Sequence, residues 1–331
     1  MKLQTPYLMF LGDAPDQLAA KTAQGVVDWR PEICVGQIKL DNCNADLGLP
    51  DLGLAEAAEK GAKTLIVGVA NRGGVISGAW ERTIVDAIEL GYDIASGLHG
   101  RLSDSPAIAQ AAEKHRRALF DVRHPTETFP VAVGTKRPGK RLLPVGTDCS
   151  VGKMYTALAI RNEMKKRGMK ATFRATGQTG IFIAGEGISV DAVVADFISG
   201  STETITPAND PDHWDIVEGQ GSLFHASYAG VTMGLIHGSQ PDALVLCHEP
   251  TRSHMRGLPD FAVPGIGECM EANLAAAKLT NPAARFVGIA INTKHLDETT
   301  ALKMLEDTAA TFDLPCVDPL RTGVAAIVDK L

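Results

Sequence analysis

The stretch Gly146-Thr147-Asp148-Cys149-Ser150-Val151-Gly152-Lys153-Met154 has two glycines separated by five residues and a lysine directly after the second. A phosphate loop is built this way: backbone N–H groups of a Gly-rich turn and of the following helix N-terminus surround a diphosphate, and the Lys adds a mobile positive charge. The motif constrains the fold because it works only between a buried strand and a helix. Both flanks fit. Arg141-Leu142-Leu143-Pro144-Val145 reads as a short buried strand, and Tyr155 to Arg167 as a helix with Leu158, Ile160 and Met164 available for burial, stopped by Gly168. Pro144 cannot donate to a central ladder, so it is expected at the strand's end or at a bulge.

One position departs from a nucleotide-hydrolysing loop. Where a Ser or Thr hydroxyl would hold Mg²⁺, this chain has Met154. A thioether is a soft ligand that a hard, oxygen-seeking ion has little reason to choose. The anion cradle survives and the metal anchor is gone, which points to a diphosphate-bearing cofactor held without metal-assisted cleavage. Thr156 follows two residues later but faces another side of the helix. A second motif agrees with the first. Trp214-Asp215-Ile216-Val217 runs into Glu218-Gly219-Gln220-Gly221-Ser222, an acid and a glycine turn at the carboxyl end of a strand, where open α/β sheets bind ligands.

The chain's 331 residues suffice for two cores, and 45% hydrophobic with only 5% aromatic residues suits Ala/Val/Ile/Gly-rich α/β packing. A net charge of -7 without a Lys/Arg-rich block argues against a nucleic-acid surface and leaves small molecules as partners. Cys34, Cys43, Cys149, Cys247, Cys269 and Cys316 form no CxxC pair, so a reducing compartment is expected and neither a disulfide framework nor a zinc site. No segment has the roughly 20 apolar residues of a membrane span, and Met1 to Pro6 opens no signal sequence. A cytoplasmic protein without membrane association is expected, and a homo-oligomer is compatible with the sequence.

Short apolar runs alternate with helical stretches from Tyr7 to about Val133, as in a parallel, doubly wound sheet. Tyr7 to Leu11 and Thr64 to Val69 read as strands, Trp80 to Leu90 as a helix, Tyr92 to Ala95 as a further strand, and Ser105-Pro106 as the cap and first turn of another helix. Neither Gly12-Asp13-Ala14 nor Gly73-Gly74 fits G-x-G-x-x-G, so a nicotinamide cofactor is not supported. Gly134 to Lys140 is polar, basic and turn-rich. It divides the chain into domains at 1–134 and 141–331, with 135–140 as linker. In the second domain strands are expected near Ala171 to Ala175, Ala192 to Asp196, Ile216 to Glu218, Ala243 to Cys247 and Phe286 to Ile291, with a closing helix from Leu296 to Phe312.

The loop Gly146-Thr147-Asp148 through Gly152-Lys153, taken with Glu218-Gly219-Gln220-Gly221, resembles the phosphate loop and acidic strand end of dethiobiotin synthetase-type proteins. Over its full length the chain is closer to another group. A Rossmann-like N-terminal half joined to a phosphate-loop half carrying Thr147 to Met154 resembles a domain-of-unknown-function family whose characterised activity is D-glutamate N-acetyltransferase. The resemblance implies an α/β fold with a Rossmann-like parallel-sheet domain and a P-loop NTPase-like domain, acetyl-CoA as co-substrate, and no required metal. CoA carries a diphosphate that a cradle lacking the Mg²⁺ hydroxyl still accommodates, so Gly146 to Met154 become its binding residues. The enzymatic rival is an ATP-dependent ligase or kinase of dethiobiotin synthetase type; the non-enzymatic rival is a nucleotide-binding regulatory protein.

For N-acetylation the amine must lose a proton before it attacks the thioester. Glu218 is the first candidate base, Asp196 the second and His225 the third. Lys153 or loop N–H groups are candidates to meet the developing oxyanion. The two carboxylates of an amino diacid suit Arg forks, for which Arg72, Arg174 and Arg252 are the candidates. His248, Glu249 and His254 lie near Arg252 without the H-E-x-x-H spacing, so no metal is assigned.

Overall fold

A computed structural model describes residues 2–69 and 75–331, which divide into two compact units. The first comprises Met1–Glu127 together with Gly177–Ala192. Its strands are β1 (Tyr7–Gly12), β2 (Cys34–Lys39), β3 (Thr64–Val67), β4 (Asp93–Ser96) and β5 (Leu119–Asp121). They form one parallel sheet in the order β2-β1-β3-β4-β5. Helices α1 (Lys21–Trp29), α2 (Leu54–Glu59), α3 (Gly78–Glu89) and α4 (Pro106–His115) supply the crossovers that parallel strands require. Two helix starts follow the expected chemistry. Ser77 accepts from Trp80 N, and Ser105 accepts from Ile108 N with Pro106 in the first turn. The sheet is buried on both faces, hence the unbroken apolar runs in β1 and β3.

The second unit comprises Thr128–Thr176 and Val193–Leu331. The chain therefore leaves it at Thr176, gives Gly177–Ala192, including α6 (Gln178–Ala184), to the first unit, and returns. Nothing in the helical pattern of that segment distinguishes it from a crossover helix of the second sheet. Here β6 (Lys140–Gly146), β7 (Ala171–Arg174), β8 (Trp214–Val217), β9 (Ala243–His248), β12 (Arg285–Ile291) and β13 (Cys316–Val317) form a second parallel sheet, ordered β13-β12-β9-β6-β8-β7. Its helices are α5 (Lys153–Lys166), α7 (Ile198–Ile205), α8 (Ala229–Ser239), α9 (Ile266–Lys278), α10 (Glu298–Phe312) and α11 (Ala325–Val328). A small antiparallel ribbon, β10 (His254–Met255) with β11 (Leu258–Ala262), follows β9. Among the described residues no helix is long and apolar enough to cross a membrane.

Three local expectations change. Pro144 lies inside β6, a central strand, and not at its end or at a bulge. In a parallel strand, alternate residues address opposite neighbours. Lys140 N donates to His213 O on the β8 side and Thr147 N donates to Cys247 O on the β9 side, so Pro144 turns its missing donor towards β8. The β6–β8 ladder has already stopped at Leu142 and Ile216. Gly219 takes that place, its backbone so near that a Cβ would stand 1.9 Å from Pro144 O. Residues 192–196 form short 3-10 turns and no strand. The stretch read as a linker is bound into the second unit: Arg137 donates to Thr206 O (2.8 Å) and Gly238 O (2.7 Å), and the fully buried Arg141 side chain binds the carbonyls of Arg137, Pro138 and Gly139.

Candidate active site

β6 delivers the chain to the carboxyl edge of the second sheet, and α5 carries it away again. Between them the loop holds Ser150 and Gly152 in left-handed conformations, with φ of 53° and 102°. Such turns gather successive N–H groups into a concave anion nest. Gly152 is also the N-cap of α5, and having no side chain it leaves the first helical N–H groups uncapped. Those groups and the helix dipole favour a negative charge at this point.

Lys153, 6% exposed, sits at the first position of α5 and donates from Nζ to Asp148 O at 2.8 Å. Burial pushes its ammonium below the ordinary lysine pKa, a direction that the neighbouring Cys247, Cys149 and Asp148 oppose. The ammonium is thus held inside the loop with little compensating charge, which is what a cradle awaiting an anion requires. Met154 provides no hydroxyl. The Thr156 hydroxyl donates to Gly152 O (3.0 Å) and accepts from Cys247 Sγ (3.4 Å), and it is buried in the helix packing.

The loop is fastened from the segment after β9. The Asp148 carboxylate, fully buried, accepts from Cys149 N (2.6 Å), Arg252 Nη1 (2.8 Å) and Arg256 N (2.8 Å). Arg252 also donates to Cys149 O (2.6 Å) and Ser150 O (2.8 Å), and its Nε lies 3.0 Å from Glu249 Oε2. Arg256 donates to Ser150 Oγ. Beside them a cleft of about 380 Å³ is lined by Thr251, Arg252, Ser253, His254, Arg256 and Gly257. Cys149 keeps its proton: burial pushes its thiol up, against the opposing charge of Lys153.

The expected site residues have different fates. Glu218 lies buried at the end of β8 and accepts from Thr176 N at 2.8 Å. His225 comes to the phosphate loop, but Ser227 N donates to its Nδ1 and Nε2 donates to Arg256 O (3.1 Å each), so no ring lone pair is left. Asp148, Cys149 and His225 place one ligand-type atom each within 4.8 Å of one another, yet those bonds already occupy His225 and both Asp148 oxygens. Asp196 is exposed on a 3-10 turn and joins none of these hydrogen bonds among the described residues. Arg174 donates to the buried Asp215 at 2.7 Å, an ion pair inside the unit. Arg252 reaches the site as a clamp on the loop and not as a fork facing solvent. Arg72 lies outside the described residues.

Sequence reasoning missed Arg256 and the bond between Thr147 Oγ1 and His248 Nδ1 (3.0 Å), and it named Glu249 beside Arg252 without giving it a role. The usable signal was position. Gly146 pairs with Cys247 in register, so whatever follows Gly146 and Cys247 must meet at the sheet's edge.

Comparison with known proteins agrees with this architecture. A family model described as the DUF1611 P-loop domain matches residues 130–328, and one described as the DUF1611 Rossmann-like domain matches residues 35–125. A DUF1611 family protein from Anabaena variabilis, solved by crystallography, superposes with a TM-score of 0.87 at 30% identity over 99% of both chains. Two curated relatives, each named D-glutamate N-acetyltransferase, come from Tritonibacter scottomollicae (58% identical, 99% of both chains) and a Pseudoalteromonas species (50% identical, 100% of both). The fold and the relatives together define an acyltransferase of N-acetyltransferase type, built on a phosphate loop. The chain belongs to the DUF1611 family.

Proposed function

We propose that this protein transfers the acetyl group of acetyl-CoA to the amino nitrogen of D-glutamate, by direct attack of the deprotonated amine on the thioester. The observation that carries the donor assignment is the uncapped N-terminus of α5 with the buried Lys153 behind it and no Ser or Thr hydroxyl placed for Mg²⁺. A diphosphate of CoA answers both the positive dipole and the desolvated ammonium. Metal-assisted phosphoryl transfer has no support from Met154 or Thr156. D-Glutamate as acceptor is supported by the names of the two curated relatives, which match almost end to end. Arg256, exposed on the polar cleft, offers a guanidinium edge to an acceptor carboxylate. The protonated Cys149 thiol favours direct transfer over an acyl-cysteine.

The test is thermal unfolding in EDTA with CoA, acetyl-CoA or ATP, followed by product analysis with D- and L-glutamate. Acetyl-CoA at 100 times its Kd should add about 2.7 kcal/mol of stability without metal. N-acetylation should favour the D enantiomer. Stabilisation by ATP only, and only with Mg²⁺, would overturn the donor assignment.

A further inference from the structure

The transfer needs a group that removes the amine proton, and the three carboxylate and imidazole candidates read from sequence are buried against a backbone N–H, exposed on a turn, or fully hydrogen-bonded. A different side chain meets the requirement. His248 closes β9 at the carboxyl edge of the sheet, next to the strand that launches the phosphate loop. Its backbone is fixed: it pairs in register with Ile291, and Asn292 N donates to its carbonyl at 2.8 Å. Its ring is fixed too, since Nδ1 lies 3.0 Å from the hydroxyl of Thr147, the second residue of the loop. Nε2, on the opposite edge of the imidazole, has no hydrogen-bond partner among the described residues. The ring is half-buried.

We infer that His248 is the general base of the reaction, held by Thr147 with its Nε2 lone pair available to the acceptor nitrogen. The inference rests on the acetyl-transfer reading above. In this arrangement Nδ1–H donates to Thr147 Oγ1, which sets the tautomer. The substrate's ammonium releases one proton to solvent and arrives as the amine. As its nitrogen bonds to the thioester carbon, His248 Nε2 takes a second proton from that nitrogen. The C–S bond then breaks, and the imidazolium returns the proton to the departing CoA thiolate. The products are the N-acetyl amino acid and CoA thiol. Because Thr147 belongs to the phosphate loop, one hydrogen bond sets the base relative to the donor's anchor.

The charge state suits the role. Burial pulls the His248 imidazole below its ordinary pKa, with Glu249 opposing and Arg252 reinforcing. The loop faces it with Thr147 and the β12 end with Asn292, neither of which titrates. The imidazole is thereby biased towards its neutral, proton-accepting form, and activity falls as pH drops through a value below the ordinary histidine pKa.

His248→Gln and His248→Ala test the assignment, with acetyl-CoA affinity measured by calorimetry beside steady-state kinetics. The expected result is a fall in kcat of roughly 10²–10⁴-fold, an acetyl-CoA Kd within about threefold of wild type, loss of the acidic limb of the pH–rate profile, and partial recovery of His248→Ala by added imidazole. Thr147→Val should lower kcat by about tenfold while keeping the acidic limb. A near-wild-type kcat in His248→Gln overturns the inference and leaves the acetyltransferase reading intact. Loss of donor binding together with activity, without imidazole rescue, shows a structural role and also overturns it. Wild-type protein that acetylates no amine defeats the reading itself, and the inference with it.

Discussion

Lys153→Met should raise the KM for acetyl-CoA by about 10–100-fold and change kcat by much less, because in the proposed donor complex the lysine faces phosphates that do not alter during the reaction. Methionine keeps the length and apolar body that pack in the loop. A matching pH effect is expected. In the unliganded protein burial holds the Lys153 pKa below its value in the unfolded chain, which is near 10.4. Between those values the unfolded state binds more protons, so stability rises with pH across the window, and the penalty for the buried ammonium is fully in force below it. A bound diphosphate restores the charged form. Donor binding therefore takes up a proton in this window, and affinity declines as pH rises through it. Calorimetry in two buffers of different ionisation enthalpy reads that uptake, which Lys153→Met should abolish. A fall in kcat at constant KM would place the lysine at the oxyanion instead.

What the sequence revealed was set by backbone geometry. Residues 146–154 disclose a loop because two positions need glycine, or tolerate left-handed φ, and one needs a cation at a helix start. The all-apolar strands announce sheets buried on both faces. The rest depended on pairings between distant residues. Pro144 looked unsuitable for a central strand because one residue cannot show that its neighbour's ladder ends two positions earlier. Arg252 and Arg174 read alike as candidate forks for a substrate carboxylate, and only the fold shows that one grips the phosphate loop and the other a buried aspartate. Residues 192–196 have the short apolar run of a buried strand, but they lie where the chain passes between the two units and fold as 3-10 turns. His248 was invisible as a base for a similar reason. Its credentials are a hydrogen bond to a residue 101 positions away and a place directly after Cys247, which is in register with Gly146.

Asp148→Ala should cost stability as well as activity, because it strips the partner from a clamp the loop cannot replace. The carboxylate is fully buried and joins Arg252, Arg256 N and Cys149 N in one point. Removing it leaves the Arg256 and Cys149 N–H groups without their acceptor and Arg252, 24% exposed, with Glu249 as its remaining carboxylate, at about 1–3 kcal/mol. Arg252→Ala should show the same pattern, since it also frees the Cys149 and Ser150 carbonyls that it now binds. The double variant separates a clamp from two independent contributions. If the pair works as one unit, the second substitution adds little and the coupling energy approaches the loss in either single variant, within the roughly 0.5–3 kcal/mol of contacting residues. Arg252→Lys makes the distinction sharper. An ammonium keeps the charge but cannot reach Asp148, Cys149, Ser150 and Glu249 from one planar fork, so it should restore less than half of the lost stability. Denaturant unfolding of the four proteins, with acetyl-CoA affinity measured on the same samples, decides the matter. Additive losses, or full rescue by lysine, would show that the charges act separately and that the loop holds its shape without being clamped.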